Sequence, residues 1–525
     1  MFARLGFADP ARAERLVADP ALTGLIDPLD DDFADGVIQA LADVADPDLA
    51  LLTLVRLMES LRTKISSSPD DPALGRELPA LIATLRHPGP GRERILAVLG
   101  ASMALGDHLI AHPEHWRSVA EARTRTVEER VERLVSKVSL PPEGLTPEDA
   151  LRVYYRRGLL GIAALDLVAP DPLVQLPTTA AALADLAQAA LEAALALARA
   201  ELPEEAEQCR LAVIAMGKTG GRELNYISDV DVIFVAEPAG GADEPAAMAA
   251  ATKVATRLMT ACSASTSHGT LWSVDAALRP EGKHGPLVRT VASHQAYYER
   301  WAKTWEFQAL LKARVVAGDR EVGEDYLATM MPMVWQAASR ENFVDEVQAM
   351  RRRVEAHIPS AEAGRQLKLG PGGLRDIEFS VQLLQLVHGR TDPSLRSGTT
   401  LDGLAALAGG GYVGRDDAAV LGSAYRLLRT LEHRIQLLRL RRTHLMPTSQ
   451  SELRRLGRAL GHRQDAATAL LAQWKAESRE VRRLHERLFY RPLLNAVARL
   501  DSDEARLTPE AARERLQALG FRDPK

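Results

Sequence analysis

Residues 216–235 decide the fold, and they read Met216-Gly217-Lys218-Thr219-Gly220-Gly221-Arg222-Glu223-Leu224-Asn225-Tyr226-Ile227-Ser228-Asp229-Val230-Asp231-Val232-Ile233-Phe234-Val235. The apolar run 211–216 ends at a glycine, which predicts a buried strand. The run 231–235 is β-branched and aromatic and predicts a second strand. A functional interpretation of the glycine loop between them requires a strand–loop–helix–strand context.

Two aspartates, Asp229 and Asp231, stand at the start of the second predicted strand. Because strand residues two apart point the same way, both carboxylates lie on one face. Close carboxylates repel each other unless a cation lies between them. Mg²⁺ suits such oxygen ligands and takes its remaining ligands from water and substrate phosphates. An isolated Asp-x-Asp usually marks a solvated turn, but this pair follows a glycine loop and opens an apolar strand, which predicts a Mg²⁺ site.

The glycine loop is a candidate phosphate-binding segment. Glycines let the backbone approach a phosphate closely enough for its N–H groups to bind oxygen, and cationic side chains add charge-assisted contacts. The candidate nucleotide- and phosphate-binding residues are Gly217, Lys218, Gly220, Gly221, Arg222, Ser228, Arg279 and Arg375.

A third carboxylate, Asp275, lies on a third strand candidate at 271–278. Two-metal phosphoryl transfer commonly uses an acidic group from a neighbouring strand. An edge-strand aspartate facing water is the alternative. Arg279 follows on a turn within reach of a phosphate, whereas Lys283 and His284 are typical solvated loop charges.

A second glycine loop, 370–373, precedes a predicted helix that carries Arg375, Asp376 and Glu378. Helix N-termini attract anions, which favours a functional site. Acidic residues are also common in first helical turns, so both interpretations stay open for the two carboxylates. Glu432, on an apolar-periodic helix further on, is expected to have a surface or packing role.

The remaining sequence is predominantly helical in pattern. Apolar residues recur at helical spacing over 1–200 and 290–520, and a helix is predicted at 245–265. We therefore predict an α+β protein, a small mixed sheet with helices inside a largely helical chain. The predicted division of the 525 residues is 1–205 helical, 206–325 catalytic, 326–505 helical, and 506–525 the start of a linker.

Composition excludes several classes of protein. The net charge of −5 and pI near 6.3 show no basic balance that would point to nucleic acid. Two cysteines, Cys209 and Cys262, cannot make a disulfide framework, and as reduced thiols they indicate a cytoplasmic protein. The N-terminus has no long apolar core, so no signal peptide is expected. No run of about 20 uncharged apolar residues occurs, so no membrane span is expected.

A short repeat joins the two ends of the chain. Residues 5–10 match residues 519–524 except at one position. Chance between two helix entries is one explanation. A related second half that begins after 506–525 is the other, and it would make this chain part of a duplicated enzyme.

Four segments, 217–235, 274–279, 298–314 and 368–378, resemble the family of bifunctional glutamine synthetase adenylyltransferase/adenylyl-removing enzymes. The segment 222–225, Arg-Glu-Leu-Asn, resembles the N-terminal, adenylyl-removing half. The resemblance implies a DNA-polymerase-β-like nucleotidyltransferase domain, with Asp229, Asp231 and Asp275 as catalytic metal ligands. Lys218 stands where many relatives of this fold have serine.

The resemblance also implies a reaction and partners. The adenylyl-removing half uses phosphate to split adenylyl-tyrosine on glutamine synthetase, releasing ADP, with Mg²⁺ as cofactor and the PII signal protein as a further partner. The missing half would adenylylate glutamine synthetase with ATP. Adenylylation by this chain, uridylylation of a small signalling protein, and a regulatory module binding PII or glutamine are the alternatives. A purely regulatory module has no need of three metal-spaced carboxylates.

Overall fold

The computed structural model describes residues 1–26, 31–491 and 493–499, together with Arg513. The described part of the chain is 68% helical and contains a small mixed sheet of five strands, which confirms the α+β class. Most of the predicted linker 506–525, including the second copy of the terminal repeat, lies outside the described residues. The predicted domain limits stay predictions.

Twelve described helices precede the sheet. They are α1 Pro10–Val17, α2 Asp31–Leu41, α3 Pro47–Ser67, α4 Pro72–Gly75, α5 Glu77–Arg86, α6 Pro90–Ala101, α7 Met103–Ala111, α8 Trp116–Ala120, α9 Val127–Ser139, α10 Pro147–Leu167, α11 Pro172–Glu201 and α12 Pro203–Gln208. Several begin in the same way, with a capping side chain followed by proline. Asp46, Thr146 and Asp171 each accept a backbone N–H of the first turn, ahead of a proline that has no N–H to satisfy.

The middle of the chain contains five strands and four helices. The strands are β1 Cys209–Ala215, β2 Val230–Pro238, β3 Val274–Asp275, β4 Val288–Arg289 and β5 Arg314–Gly318. The helices are α13 Gly217–Gly220, α14 Glu244–Ser263, α15 Val291–Arg300 and α16 Thr304–Leu310. The glycine segment forms the one-turn helix α13 directly after β1, and the loop 221–229 then leads to β2. The order is therefore strand, helix, loop, strand, which differs from the strand–loop–helix–strand order that the functional interpretation required.

The sheet has the order β3-β2-β1-β5, with β4 also pairing with β2. Strand β1 is antiparallel to both β2 and β5, whereas β3 and β4 are parallel to β2. The predicted strands at 211–216 and 231–235 and the helix at 245–265 are confirmed. The third candidate, 271–278, contains only the two-residue strand β3. The predicted helical pattern over 290–520 is wrong at β5, where the short apolar run 315–317 followed by a glycine was the available signal.

Nine described helices follow. They are α17 Arg320–Gln336, α18 Phe343–Ala356, α19 Ser360–Ala363, α20 Leu374–His388, α21 Thr400–Gly409, α22 Arg415–Arg439, α23 Gln450–Ala459, α24 Ala466–Phe489 and α25 Leu493–Arg499. Short 3-10 turns occur at Phe2–Leu5, Pro20–Leu22, Pro113–His115, Gly282–His284, Ala337–Ser339 and Pro393–Leu395.

The sheet separates two hydrophobic cores, which explains the continuous apolar runs of β1 and β2. Val232 and Phe234 belong to the core shared with the N-terminal helices, whereas Ile233 and Val235 belong to the core shared with the C-terminal helices. Successive strand residues face opposite sides. Asp231 therefore lies on the side of the C-terminal helices.

Helix α11 is the one described helix that is long and apolar enough, by length and composition, to cross a membrane. Helices α6 and α7 would pass the same test together, but they are bent by 115°. Of the most apolar window of α11, 72% is buried inside the protein. Such burial is typical of the core helix of a globular domain, because its apolar surface is covered by other helices.

Candidate active site

The pairing of β2 with β3 brings two of the three predicted metal carboxylates together. Asp231 and Asp275 are register partners in this parallel pair. The Met216 N–H donates to the Asp231 carbonyl oxygen at 2.8 Å, which joins the end of β1 to β2. One oxygen of the Asp275 carboxylate accepts the Ala277 N–H at 2.8 Å, so this carboxylate is oriented by its own turn.

The surroundings of Asp231 disfavour the ionised form of its carboxyl group. Its pKa rises from 3.8 to about 6, first because of burial and then because of the Asp275 and Asp229 charges; Lys368 and Arg375 oppose the rise. A carboxylate gains a proton more readily where neighbouring negative charges are uncompensated. A divalent cation at this position would remove the repulsion, so the donor chemistry fits the Mg²⁺ that the sequence predicts.

The third predicted carboxylate, Asp229, precedes β2 and forms an ion pair with Arg442. Its side chain is 29% exposed. Among residues 1–26, 31–491 and 493–499, no three His, Cys, Asp or Glu side chains form a ready group for a metal ion. We give more weight to the Asp231–Asp275 pair, because Mg²⁺ commonly takes one or two carboxylates and completes its shell with water and substrate phosphates.

Each of the three glycines in the loop is required for a different structural reason. Gly217 has φ +53°, and a Cβ there would lie 2.7 Å from a carboxylate oxygen of Asp231. At Gly220 a Cβ would lie 1.9 Å from the Lys312 carbonyl oxygen, and at Gly221 2.7 Å from the Gly398 carbonyl oxygen. Only Gly217 therefore borders the carboxylates, while the other two allow close backbone packing.

Lys218 points away from solvent and into a buried polar network. Its ammonium donates to the Glu432 carboxylate at 2.9 Å and to the Asn225 side-chain oxygen at 3.3 Å. Burial and the Arg429 charge lower the pKa of Lys218 to about 7, although Glu432 opposes this. Lys218 thus anchors the glycine loop to α22.

Glu432 is the centre of that network. Its carboxylate accepts from Arg429 at 2.6 Å and pairs with the His444 ring nitrogen at 2.6 Å, and its side chain is 0% exposed. This role is more specific than the expected surface or packing role. Two residues on, Arg434 forms a buried ion pair with Asp166 of α10. Helix α22 therefore joins the glycine loop to the N-terminal helices.

A group of cations lies beside the carboxylates. Burial alone would raise the pKa of Glu378, but the charges of Arg375, Lys312, Lys218 and Lys368 outweigh burial and lower it to about 2. Arg375 donates to Glu378 at 3.1 Å. Because Lys368 and Arg375 also act on Asp231, these two cations are close enough to attract a phosphate held at the carboxylates.

The two acidic residues of the second glycine loop differ in role. Asp376 is fully buried, accepts the Gly372 N–H at 2.7 Å and pairs with Arg351. It therefore stabilises the loop and the start of α20. Glu378 instead faces the cations of the site, so the functional interpretation fits Glu378 and the structural interpretation fits Asp376.

Two predicted phosphate contacts are directed elsewhere. Arg222 forms an ion pair with Asp185 of α11, with its nitrogens 2.7 and 3.1 Å from the carboxylate oxygens. Arg279 is near enough to Asp275 for their charges to interact, but its guanidinium donates to the carbonyl oxygens of Ala276, Gly285 and Pro286. Ser228 lies half-buried beside Asp229.

Sequence reasoning missed Lys368, Arg429, Glu432, Arg442 and His444 as site residues. The available signals were modest. Arg429 and Glu432 are oppositely charged residues three apart on helix α22, and a buried charge requires a partner. Arg442 and His444 belong to a basic run that follows the end of α22.

Comparison with known proteins supports the resemblance. The sequence model of the family described as Glutamate-ammonia ligase adenylyltransferase matches residues 92–329. The model described as GlnD PII-uridylyltransferase matches residues 341–489. Bifunctional glutamine synthetase adenylyltransferase/adenylyl-removing enzymes of Streptomyces avermitilis and Streptomyces coelicolor are 59% and 58% identical over 99% of the chain.

The bifunctional enzyme of the same name from Mycobacterium tuberculosis is 47% identical over 99% of the chain. The chain is a homologue of this enzyme family. It covers 50%, 50% and 51% of these three relatives, and so spans about half of their length.

The candidate site is built from both matched segments. The carboxylates and the glycine loop come from the first segment, 92–329. Lys368, Arg375 and Glu432 come from the second, 341–489. The site is therefore complete only when the C-terminal helices pack against the sheet.

Proposed function

We propose that this chain is a Mg²⁺-dependent nucleotidyltransferase that removes adenylyl groups from glutamine synthetase by phosphorolysis of adenylyl-tyrosine. The observation that carries the proposal is the pair Asp231–Asp275 facing the cations Lys368 and Arg375. This arrangement suits a divalent cation and a phosphate together. The names of the homologues support glutamine synthetase as the protein substrate. Regulation of nitrogen assimilation follows from that substrate.

The reaction joins one oxygen of inorganic phosphate to the adenylyl phosphorus and breaks the bond from that phosphorus to the tyrosine oxygen. The products are ADP and free tyrosine. Because a phenol has a pKa of about 10, tyrosine leaves without strong acid catalysis. The main task of the site is to hold two anions together and to stabilise the charge on the transferred group.

Each group of site residues has a part in this task. Asp231 and Asp275 would hold Mg²⁺, which when bound neutralises phosphate charge. Lys368 and Arg375 attract the incoming phosphate and the adenylyl group, and the low pKa of Glu378 keeps that carboxylate ionised beside them. Lys218 keeps the glycine loop in place through Glu432 rather than meeting the phosphate.

The segment Arg222–Asn225 resembles the corresponding segment of the adenylyl-removing half. Two of its side chains make buried contacts that hold the segment in place. Glu223 forms a buried ion pair with Lys312 and accepts the Thr400 N–H at 2.6 Å. Asn225 accepts from Arg429 and from Lys218. We further propose a cytoplasmic location, which agrees with two buried free cysteines, Cys209 and Cys262.

Product analysis tests the proposal. The chain is incubated with adenylylated glutamine synthetase, Mg²⁺ and phosphate, and the released nucleotide is identified. We expect ADP, only when phosphate is present, and none from Asp231→Asn. ATP-dependent modification of the unadenylylated substrate would instead show adenylylation. Binding of PII or glutamine without nucleotide release would favour the regulatory module.

A further inference from the structure

A cavity, here called the basic pocket, is lined by residues of α8, α9, α10 and α11 and of the segment before α9, and by no residue of the sheet. Its volume is about 350 Å³, within the range of small-molecule sites. Five of the eleven residues that line it are cationic, namely Arg125, Arg130, Arg133, Lys137 and Arg157, and none is acidic. The Glu129 and Asp185 carboxylates outside the lining offset part of this positive charge, and a bound anion would offset more of it.

Two cations of the pocket, Arg125 and Arg130, are half-buried or buried with incomplete hydrogen bonding. Arg130 is only 7% exposed. The Nε atoms of Arg125 and Arg130 have no hydrogen-bond acceptor among the described residues. Burial lowers the pKa of both guanidinium groups, and the charges of Arg133 and its neighbours lower that of Arg125 further. Burying positive charge is costly, so an anion that neutralises these guanidinium groups would stabilise this region.

The chemistry of the lining defines the class of anion. Guanidinium groups form bidentate hydrogen bonds with phosphate oxygens. The floor is apolar, with the buried side chains of Leu134 and Leu186. The Tyr154 ring lies 5.5 Å from the Lys137 ammonium and 5.9 Å from the Arg157 guanidinium, which holds both cations at the pocket. A phosphate group attached to a small organic part fits both features.

We propose that the basic pocket binds a phosphate-bearing small molecule, a nucleotide or a sugar phosphate, at a site separate from the carboxylate pair. The pocket also has a short route to the glycine loop. The Asp185 charge acts on Arg130, and the same carboxylate is the ion-pair partner of Arg222. A ligand on Arg130 therefore changes the charge next to the Asp185–Arg222 pair.

Calorimetric binding of inorganic pyrophosphate to the full chain in EDTA tests the proposal. EDTA withholds the metal from the carboxylates. We expect one pyrophosphate per chain, with binding weakened about tenfold by Arg133→Ser and by Lys137→Ser, because each variant removes one charge-assisted contact; a tenfold loss corresponds to about 1.4 kcal/mol. Both side chains are exposed, so the variants should fold. Arg320→Ser, which removes an equal charge 86% exposed on α17, is the matched control and should bind normally.

Asp231→Asn should also leave pyrophosphate binding unchanged. In parallel titrations, tighter binding of ADP than of ribose 5-phosphate would identify a nucleotide site, and the reverse order a sugar-phosphate site. The proposal is overturned if the wild type binds no pyrophosphate, or if Arg375→Ser abolishes binding while Arg133→Ser and Lys137→Ser leave it intact. None of these readouts depends on adenylyl removal, so they separate this inference from the proposed function.

Discussion

Replacing Asp231 by asparagine removes a half-buried negative charge that its surroundings disfavour. In the folded chain burial comes first among the causes, and the Asp275 and Asp229 charges add to it. Asparagine has nearly the same shape and no charge. We therefore expect Asp231→Asn to lose nucleotide release completely and yet to be more stable than the wild type when no metal is present.

The magnitude follows from the shift in pKa from 3.8 to about 6. Each unit corresponds to about 1.4 kcal/mol, so the charge costs up to about 3 kcal/mol of unfolding free energy. The unfolded chain loses its proton first as pH rises, so the cost develops between pH 3.8 and about 6. It is fully present above that window and absent below it. The stability gap between variant and wild type should thus widen with rising pH.

Urea unfolding in EDTA at pH 5 and pH 8 measures this gap. Asp229→Asn is the matched control, because its carboxylate is 29% exposed and already paired with Arg442. Exposed pairs contribute little, so this control should change stability by less than about 1 kcal/mol. Mg²⁺ at pH 8 should stabilise the wild type and not Asp231→Asn. A variant less stable than the wild type at pH 8, or a gap equal at both pH values, would refute the reasoning.

Three further predictions concern the surroundings of the carboxylates. Glu432→Gln leaves the buried Lys218 and Arg429 without their shared carboxylate. It should lower the free energy of unfolding, measured in urea, by about 3–5 kcal/mol. A loss below about 1 kcal/mol would contradict the importance of this network. Arg375→Ala should lower kcat/KM for ADP release about 10- to 100-fold, because it removes one charge-assisted contact to the substrate. Stability should change little, since the Arg375 side chain is 35% exposed. An unchanged kcat/KM would show that Arg375 is not part of the site. Gly217→Ala should lose activity and about 1–2 kcal/mol or more of unfolding free energy, because its Cβ would collide with Asp231. Gly241→Ala is the control: Gly241 also has a positive φ but has open space around it, so this variant should stay active.

Local patterns were sufficient for the elements that form the sheet centre. The apolar runs before and after the glycine loop correspond to β1 and β2, and the predicted helix at 245–265 to α14. A five-residue run such as β5 was missed because it is short and surrounded by helical periodicity. Its pairing partner, β1, lies about a hundred residues earlier, so that pairing leaves no local trace.

The direction of each charged side chain was less predictable than its presence. The sequence placed Arg222 and Arg279 in the loops around the carboxylates, but not their partners. Arg222 meets Asp185 of α11, and Arg279 is held by carbonyl oxygens of its own turn. A long flexible side chain binds whichever acceptor the packed structure presents first, and that acceptor is often remote in sequence.

The sequence by itself determined the class of fold, the glycine loop, and the two central strands that flank it, because hydrophobic periodicity and backbone sterics act over a few residues. Only the tertiary structure decided that Asp275 stands beside Asp231, and that Lys368, Arg375 and Glu432 approach from a loop and two helices more than a hundred residues away. Those contacts arise from packing two hydrophobic cores against opposite faces of one sheet. Electrostatic partners in a buried site are selected by that packing and not by neighbourhood in the chain.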